Sequence, residues 1–183
     1  MEPTGPDDTK GPPRAHTARA VREVEPEELA EWTFRPIGVV RSPYRHVHDA
    51  PRQGVEGEAE AEIVLRRGMQ NCVRDLAGMD RLWVVFVFSY ARGWRPTLVP
   101  PRDSVHRGVL STRAPHRPNP VGLTCARLLE VRGRRLRVAE HDLLDGTPVL
   151  DLKPYVAAYD AHPGARAGWV DGLDPSAPDH RWR

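Results

Sequence analysis

The sequence has little cysteine, little lysine and no long hydrophobic run. Its 183 residues include two cysteines, Cys72 and Cys125, which are too few for a disulfide framework or for a thiolate metal site without other ligands. The longest apolar run, Leu82 to Phe88, is far shorter than the roughly 18 residues that a membrane-spanning helix needs. The first residues contain no apolar segment typical of a secretory signal. These absences predict a cytoplasmic protein that does not enter a membrane.

Several catalytic signatures are also missing. The sequence contains no G-x-G-x-x-G after a strand pattern, no G-x-x-x-x-G-K-[ST] and no G-x-S-x-G, which argues against a Rossmann dinucleotide site, a P-loop and a common hydrolase nucleophile. His46, His48 and Asp49 could contribute metal ligands. No further ligand follows at a suitable spacing, and a surface loop explains these residues equally well, so we expect no metal site.

The basic residues are almost all arginine and are unevenly distributed. The total net charge is +2, yet residues 63–151 carry +7 and residues 1–62 carry −5. An arginine-rich segment of this size can attract phosphate groups such as those of a nucleic acid. A solvated arginine-rich face with no nucleic-acid role gives the same pattern, so charge alone leaves both interpretations open.

Composition divides the chain into three parts. Residues 1–31 are dominated by Pro, Gly, charged and small residues, which predicts a disordered or partly helical extension. The segment EPEELAEW, residues 25–32, is compatible with one short helix that has Pro26 near its start. We expect the folded domain over residues 32–172 and a polar tail over 173–183.

From Phe34 onward the patterns are typical of β-strands. Residues 58–65, EAEAEIVL, alternate acidic and apolar side chains, which predicts a strand with one buried face. Leu82 to Tyr90 is the most apolar run, and its β-branched and aromatic residues favour a central strand. Further elements are predicted as strands at 37–40, 108–111, 123–131, 136–139 and 149–152, a hairpin turn at Gly133 and a short helix at 71–76. The fold class is therefore mainly all-β, as a closed or sandwich-like antiparallel domain.

The most unusual loop is STRAPHRPNPVGL, residues 111–123. Its three prolines cannot continue a helix or a sheet ladder, so we expect a stiff connection between strands. A stiff loop can present Arg113, Arg117 and Asn119 to a carboxylate, a phosphate or a nucleobase edge with little entropy left to lose. A structural loop whose arginines pair with local carboxylates is an equally good interpretation.

Two other loops are candidate binding segments. In DLLDGTP, residues 142–148, an Asp-Gly step predicts a tight turn, and its carboxylate or carbonyls can face a cation or simply bond their own backbone. Tyr44 follows a Ser-Pro turn, and residues 51–53 lie on the other side of the two histidines. These pieces predict either a ligand loop or a plain connection.

Six blocks along the chain together resemble one family. They are FRPIGVVRSPY (34–44), APRQ (50–53), DRLWVVFVF (80–88), GWRPTLVPPR (93–102), STRAPHRPNPVGLT (111–124) and DLLDGTPVLDLKPYV (142–156). Over about residues 34–172 the chain resembles the TsaA-like, TrmO-type methyltransferases, which use S-adenosylmethionine to methylate N6 of threonylcarbamoyladenosine beside the anticodon of threonine tRNA. The resemblance implies a small antiparallel β-barrel with short helices and no Rossmann domain, working as a homodimer.

The resemblance also implies roles for single residues. Cofactor contacts are implied for Pro51, Arg52, Gln53, Arg81, Leu82, Arg113, Leu123, Leu144, Asp145, Gly146 and Thr147. We expect Asn119 or Asp145 to orient the hydrogen on the acceptor N6. We expect Tyr44, Arg117, Lys153 and Tyr155 to contact tRNA phosphate or a stacked base.

Three features depart from the family pattern. Ala114 and His116 stand where many members have a serine and an aromatic residue, and Ser89 stands where members often have histidine. Larger members carry a further carboxy-terminal domain, which we expect this chain to lack. Two alternatives therefore stay open: the same cofactor chemistry directed at a small molecule such as a secondary metabolite, or a non-catalytic module that binds the cofactor or RNA.

Overall fold

The computed structural model describes residues 25–174. The chain divides into two compact units, residues 1–33 and residues 34–183. In the first unit, the short helix expected within residues 25–32 is a single 3-10 turn at Pro26–Glu28. Most of the predicted extension and most of the predicted tail lie outside the described residues, so the domain limits 1–31, 32–172 and 173–183 stay predictions.

Of the eight strands found in residues 25–174, six form a closed antiparallel barrel. The strands are β1 (Gly38–Arg41), β2 (Ala61–Leu65), β3 (Arg81–Val87), β4 (Thr97–Leu98), β5 (Arg107–Gly108), β6 (Val121–Arg132), β7 (Arg135–Ala139) and β8 (Pro148–Pro154). The barrel order is β1-β2-β7-β6-β3-β8, with β8 pairing back to β1, while β4 and β5 form a separate two-stranded sheet. The expected all-β fold, a small antiparallel barrel with short helices, is confirmed.

Alternating side chains fill the barrel interior. In β2, Ala61, Ile63 and Leu65 are buried while the residues between them are partly exposed, as the period of two predicts. In β3, Leu82 and Val84 point inward and are fully buried. Each such aliphatic side chain contributes about 1.5–3 kcal/mol on burial, so the core fixes which face of every strand is left for binding.

Several predicted elements differ from those observed. The strand expected at 108–111 is wrong: Val109–Ser111 is a 3-10 turn, and Thr112 N donates to Val109 O at 3.2 Å. The strand expected at 82–90 ends at Val87, after which the chain turns. The strand expected at 58–65 begins only at Ala61.

The helical content is limited to short turns. The helix expected at 71–76 is a 3-10 turn at Gln70–Val73. A short helix that the sequence did not predict, α1 (Ala157–Asp160), follows β8, and a further 3-10 turn covers Gly168–Gly172. Within residues 25–174, no helix has the length and apolar character needed to cross a membrane.

Three long connections leave the barrel at the same end. The strand register pairs the end of β1 with the start of β2, the end of β3 with the start of β6, and the start of β8 with β1. The connections are residues 42–60, here called loop A, residues 88–120, loop B, and residues 140–147, loop C. The antiparallel topology therefore gathers the three candidate binding segments above one barrel end.

Candidate functional site

Loop C is fixed by bonds to loops A and B. Asp145 N donates to Tyr44 O at 2.8 Å, and Ser42 N donates to the Asp145 Oδ1 atom at 3.1 Å. The Tyr90 hydroxyl donates to the Asp145 carbonyl at 2.9 Å. The Asp145 carboxylate thus accepts a backbone hydrogen bond from loop A, and not from its own turn as the structural interpretation expected.

The Asp-Gly turn itself is tight. Gly146 has φ of 77°, a left-handed conformation that favours glycine. Gly146 N donates to Val40 O at 2.9 Å, and Val40 N donates to Thr147 O at 3.0 Å. Thr147 is buried and Leu144 is half-buried. The predicted cofactor segment 144–147 is therefore a rigid rim seated on the last residues of β1.

Loops A and B meet through a contact between two predicted cofactor residues. Arg113 Nη1 donates to Gln53 Oε1 at 2.9 Å. Arg113 is exposed, and it forms no ion pair with a carboxylate among residues 25–174. Because guanidinium has five N–H donors, most of the Arg113 donors can bind an anionic group while one holds Gln53.

Loop A approaches loop C and β6 closely at Gly54. A β-carbon at Gly54 would lie 2.6 Å from Thr124 Oγ1 and 2.7 Å from Glu140 O. A larger residue would push loop A away from the barrel. The glycine therefore lets the neighbouring Pro51, Arg52 and Gln53, all half-buried, reach the barrel end.

Asp142 is a site residue that the sequence reasoning missed. Its Oδ1 atom is buried and has no hydrogen-bond partner among the described residues. Burial raises the pKa of this carboxyl group, an effect opposed by the Thr124 hydroxyl and, more weakly, by the positive charge of Arg113. A buried acceptor without a partner can receive a hydrogen bond from an amine or hydroxyl of a bound molecule. The sequence signal for Asp142 is its place in the DLLDGTP block, three residues before Asp145.

Arg81 is engaged in fixing the start of loop C. Its guanidinium bonds the Glu140 carboxylate, which also accepts a 2.9 Å bond from Arg127 Nε, and Arg81 Nη1 reaches the Cys125 carbonyl at 3.4 Å. The bond from Arg81 lowers the pKa of Glu140. Glu140 has φ of 54°, a conformation that is rare for residues other than glycine. Leu82, the neighbouring predicted contact, has its side chain fully buried in the core.

The predicted substrate residues are divided between two places. Tyr44 is packed into the barrel end, with its ring 5.2 Å from the His141 ring and its hydroxyl accepting from Ala59 N at 3.3 Å. Lys153 and Tyr155 lie at the far end of β8, where the centroids of the Tyr155 and Trp83 rings are 5.7 Å apart. Lys153 forms an ion pair with Asp151 at 2.9 Å.

The outer faces of β3, β6 and β8 carry a second group of predicted residues. Leu123, 57% exposed, lies opposite Val85 on the outside of the barrel. Arg81, Lys153 and Tyr155 belong to the same face. Within one chain, Leu123, Lys153 and Tyr155 therefore lie on this outer face rather than with loops A, B and C, whereas Arg81 reaches loop C through Glu140.

The proline-rich part of loop B presents one free amide and one engaged arginine. Arg117 Nη1 folds back and donates to Thr112 O at 2.9 Å and to Ala114 O at 3.2 Å. Asn119 is exposed, and its side chain forms no hydrogen bond with any residue from 25 to 174. Arg117 thus stiffens the loop, while the Asn119 amide can contact a bound molecule.

Comparison with known proteins assigns the chain to a family. The model of the tRNA-methyltransferase O N-terminal domain matches residues 39–161, which include all three loops and nearly the whole barrel. The chain belongs to the TrmO family. A crystal structure of TrmO from Pseudomonas aeruginosa matches this TrmO-family barrel with a TM-score of 0.69 and 36% identity, over 81% of this chain and 67% of that one.

Relatives of known sequence agree with the TrmO assignment. The tRNA (adenine(37)-N6)-methyltransferase of Escherichia coli is 38% identical over 153 residues, 78% of this chain and 65% of that enzyme. A probable S-adenosyl-L-methionine-binding protein of Archaeoglobus fulgidus is 39% identical over 144 residues, 79% of this chain and 39% of that protein. The chain therefore spans less than two thirds of the length of either relative. The resemblance drawn from the six sequence blocks is confirmed.

One of the departures from the TrmO-family pattern, His116, has a clear structural role, whereas Ala114 contributes only through its backbone. His116 Nδ1 lies 3.1 Å from the Arg92 carbonyl and 3.3 Å from Arg92 N, so its tautomer decides which of the two bonds forms. Ala114 N donates to the Thr112 hydroxyl at 3.3 Å. In this TrmO-family chain, His116 therefore ties the proline-rich loop to the turn that follows β3.

Proposed function

We propose that this chain is an S-adenosylmethionine-dependent methyltransferase that methylates N6 of threonylcarbamoyladenosine at position 37 of threonine tRNA. Membership of the TrmO family and the activity in the name of the E. coli relative support this proposal. The observation that carries it is the contact between Arg113 and Gln53 beside the buried, unpaired Asp142 oxygen. It brings an anion-binding group and an unpaired acceptor together at one barrel end.

The donors and acceptors of this end fit S-adenosylmethionine. The molecule has a carboxylate, an ammonium group and ribose hydroxyls, and when bound it supplies an electrophilic methyl group on a positively charged sulfur. Arg113 would bind the carboxylate by charge-assisted hydrogen bonds. Asp142 would accept a hydrogen bond from the ammonium group or a hydroxyl, and the 144–147 turn would form a rigid wall. We propose Pro51, Arg52 and Gln53 as the facing wall.

Asn119 is the better of the two candidates for orienting the acceptor. The Asp145 carboxylate is held by Ser42 N, whereas the Asn119 amide is exposed and unengaged by the described residues. Methyl transfer needs the acceptor nitrogen held at near-attack distance more than it needs a strong base. We propose that the Asn119 side-chain oxygen orients the N6 hydrogen, which then leaves to solvent.

We also propose that the protein is a cytoplasmic homodimer. The outer face of β6 exposes Val121 and Leu123, and Leu110 nearby in sequence is 76% exposed, as is typical of residues that a partner covers. A second copy docked on this face would bring the barrel-end group of one chain toward the exposed Leu123 of the other. The free cysteines Cys72 and Cys125 are consistent with a reducing compartment.

One assay distinguishes this function from its competitors. The full chain is incubated with methyl-labelled cofactor and, in parallel, with threonine tRNA carrying the threonylcarbamoyl group, the same tRNA without that group, and a metabolite extract. We expect label only in the first RNA, and loss of that label in Arg113→Ala. Label only in extract compounds would indicate a small-molecule methyltransferase. Cofactor binding by calorimetry with no transfer to any acceptor would indicate a non-catalytic module.

A further inference from the structure

The positive charge of the middle of the chain is concentrated in loop B. Residues 88–120 contain six arginines and one acidic residue, Asp103, whereas residues 121–151 contain five arginines and five acidic residues. The net charge of +7 that the sequence assigns to residues 63–151 is thus mostly the +5 of loop B. The strands that follow are electrically balanced.

Ion pairing increases this contrast. The arginines on the outer faces of β6 and β7 are matched with glutamates, in the pairs Arg127–Glu140, Arg132–Glu130, Arg135–Glu62, Arg137–Glu60 and Arg137–Glu130. In loop B, Arg107 pairs with Asp103 at 2.7 Å. Within the described part of the chain, Arg92 and Arg95 form no ion pair and are exposed. Their charge therefore faces solvent uncompensated.

Exposed aromatic rings lie among these arginines. The turn YARGWR, residues 90–95, follows β3 and contains Gly93, whose φ is 60°. Tyr90 is 54% exposed and Trp94 is 52% exposed. Trp94 lies between Arg92 and Arg95 in the sequence, and because half of its side chain is in water it contributes little to the core. Alternating aromatic and basic residues of this kind form stacking platforms for single-stranded nucleic acid.

Hydrogen bonds hold the turn beside the candidate site. At one end, the Tyr90 hydroxyl bonds the Asp145 carbonyl of loop C at 2.9 Å. In the middle, the Arg92 backbone contacts His116 of the proline-rich loop that carries Arg113 and Asn119. A molecule bound along residues 90–95 would therefore run directly to the barrel end, over a surface that is held in place before binding.

We propose that residues 90–95 form an RNA-docking turn that holds the anticodon loop beside the methylation site, with Arg92 and Arg95 binding phosphates and Trp94 stacking on an unpaired base. This inference rests on the proposed function, because the anticodon loop is the single-stranded segment that contains position 37. Phosphate contacts fix the register of the RNA without reading its sequence, so the turn would position the loop while Asn119 faces the reacting base.

The test compares two charge reversals placed at opposite ends of the barrel. R92E/R95E alters the docking turn, and R66E/R67E makes the same change of net charge at the exposed turn after β2. Binding of the full chain to a fluorescent anticodon stem-loop RNA is measured by anisotropy over a range of salt concentrations. We expect R92E/R95E to weaken binding more than tenfold and to reduce the salt slope by about 1.4, for two phosphates on a single strand. R66E/R67E should change affinity less than threefold.

Stacking is tested separately with W94A and W94F. Loss of the ring should weaken RNA binding roughly tenfold or more, and phenylalanine should restore most of the affinity. Cofactor affinity, measured by calorimetry, should be unchanged in all these variants, which also verifies that they are folded. In methyl transfer, R92E/R95E should raise the KM for tRNA and leave kcat nearly constant, because the turn holds substrate and transition state alike.

The outcomes separate the two proposals. If the wild-type chain methylates tRNA but R92E/R95E and W94A bind RNA as R66E/R67E does, the docking turn is refuted and the proposed function stands. If the turn variants lose RNA binding but the wild-type chain transfers no methyl group, the docking turn stands and the proposed function is refuted. If the wild-type chain does not bind the stem-loop, both are refuted.

Discussion

Replacing Asp142 with asparagine should stabilise the fold and weaken cofactor binding together. Asp142 Oδ1 is buried without a partner among the described residues, and burial raises the pKa of the carboxyl group above its ordinary value of 3.8. Asparagine keeps the shape and removes the charge. A residue retained at the expense of stability is expected at a binding site, where its unpaired oxygen is satisfied only by the ligand.

The expected size of the effect follows from the unpaired atom. A buried polar group without a partner costs about 1–3 kcal/mol, and more when it is charged. The asparagine amide also leaves one polar atom poorly satisfied, so the net gain should be about 1 kcal/mol. For a chain of this length that is about 2–4 °C in Tm. The asparagine oxygen can still accept the hydrogen bond but without the charge, so cofactor binding should weaken by about 1–1.5 kcal/mol, roughly 5- to 12-fold, the difference between a charged and a neutral hydrogen bond.

The pH dependence gives a second, independent check. A carboxyl group whose pKa is raised in the folded state favours folding most at pH values below its unfolded pKa. That contribution is lost as pH rises through the folded pKa. The raised pKa of Asp142 therefore lowers the stability of the fold at pH values above the ordinary pKa of the group. The Tm advantage of D142N should be present at pH 7 and should shrink toward zero near pH 3.8, the ordinary pKa of the group.

Calorimetric titration of cofactor and thermal melts at several pH values measure both effects, and Asp75→Asn is the matched control. Asp75 is exposed, with a side-chain accessibility of 91%, so its substitution should change neither quantity appreciably. A D142N chain that is less stable than wild type at pH 7, or one that binds cofactor normally, would refute the role assigned to Asp142.

Three further substitutions test the roles of Arg113, Gly54 and Glu140. Arg113→Ala should weaken cofactor binding by about 2 kcal/mol or more, roughly 30-fold, in calorimetry, with Arg113→Lys recovering part of it; equal affinities would remove Arg113 from the site. Gly54→Ala should lower stability by about 1–3 kcal/mol in thermal melts, because the added methyl group would lie 2.6 Å from Thr124 Oγ1, and an unchanged Tm would show that loop A moves freely. Glu140→Gln should cost about 1 kcal/mol at pH 7, a modest figure because Glu140 and Arg81 are 25% and 33% exposed. Since its pKa is lowered in the folded state, that loss should fade as pH falls through the folded-state pKa, and a pH-independent loss would contradict the ion-pair explanation.

Several strands could be predicted from the sequence because their patterns involve only neighbouring residues. The alternation of residues 58–65 and the apolar run from Leu82 identified β2 and β3, and Gly133 marked the β6–β7 hairpin. Barrel closure was not readable from periodicity, because it depends on β8 pairing back to β1 across about a hundred residues of chain. Residues 108–111 resembled a strand because Val109 and Leu110 are apolar. Only the folded chain shows that Val109 alone is buried, beneath a 3-10 turn.

The sequence predicted which segments form the site, but it did not predict every residue whose side chain contributes to it. The sequence selected loops A, B and C, and the structure brings all three to one end of the barrel. It could not distinguish Asp142 from Asp145, because the burial of Asp142 and its interaction with Thr124, 18 positions earlier, exist only in the folded chain. Strand alternation does explain why Arg81 and Leu82 cannot both offer side chains to one ligand, since neighbouring residues on a strand face opposite sides.

Methyl transfer to the modified tRNA can be measured on the isolated nucleosides. Threonine tRNA carrying threonylcarbamoyladenosine is incubated with the full chain and S-adenosylmethionine, digested to nucleosides and analysed by mass spectrometry. We expect one added methyl group on N6 of the threonylcarbamoyladenosine nucleoside, and little or none with Arg113→Ala. An unmodified nucleoside after incubation with folded, cofactor-binding protein would contradict this expectation.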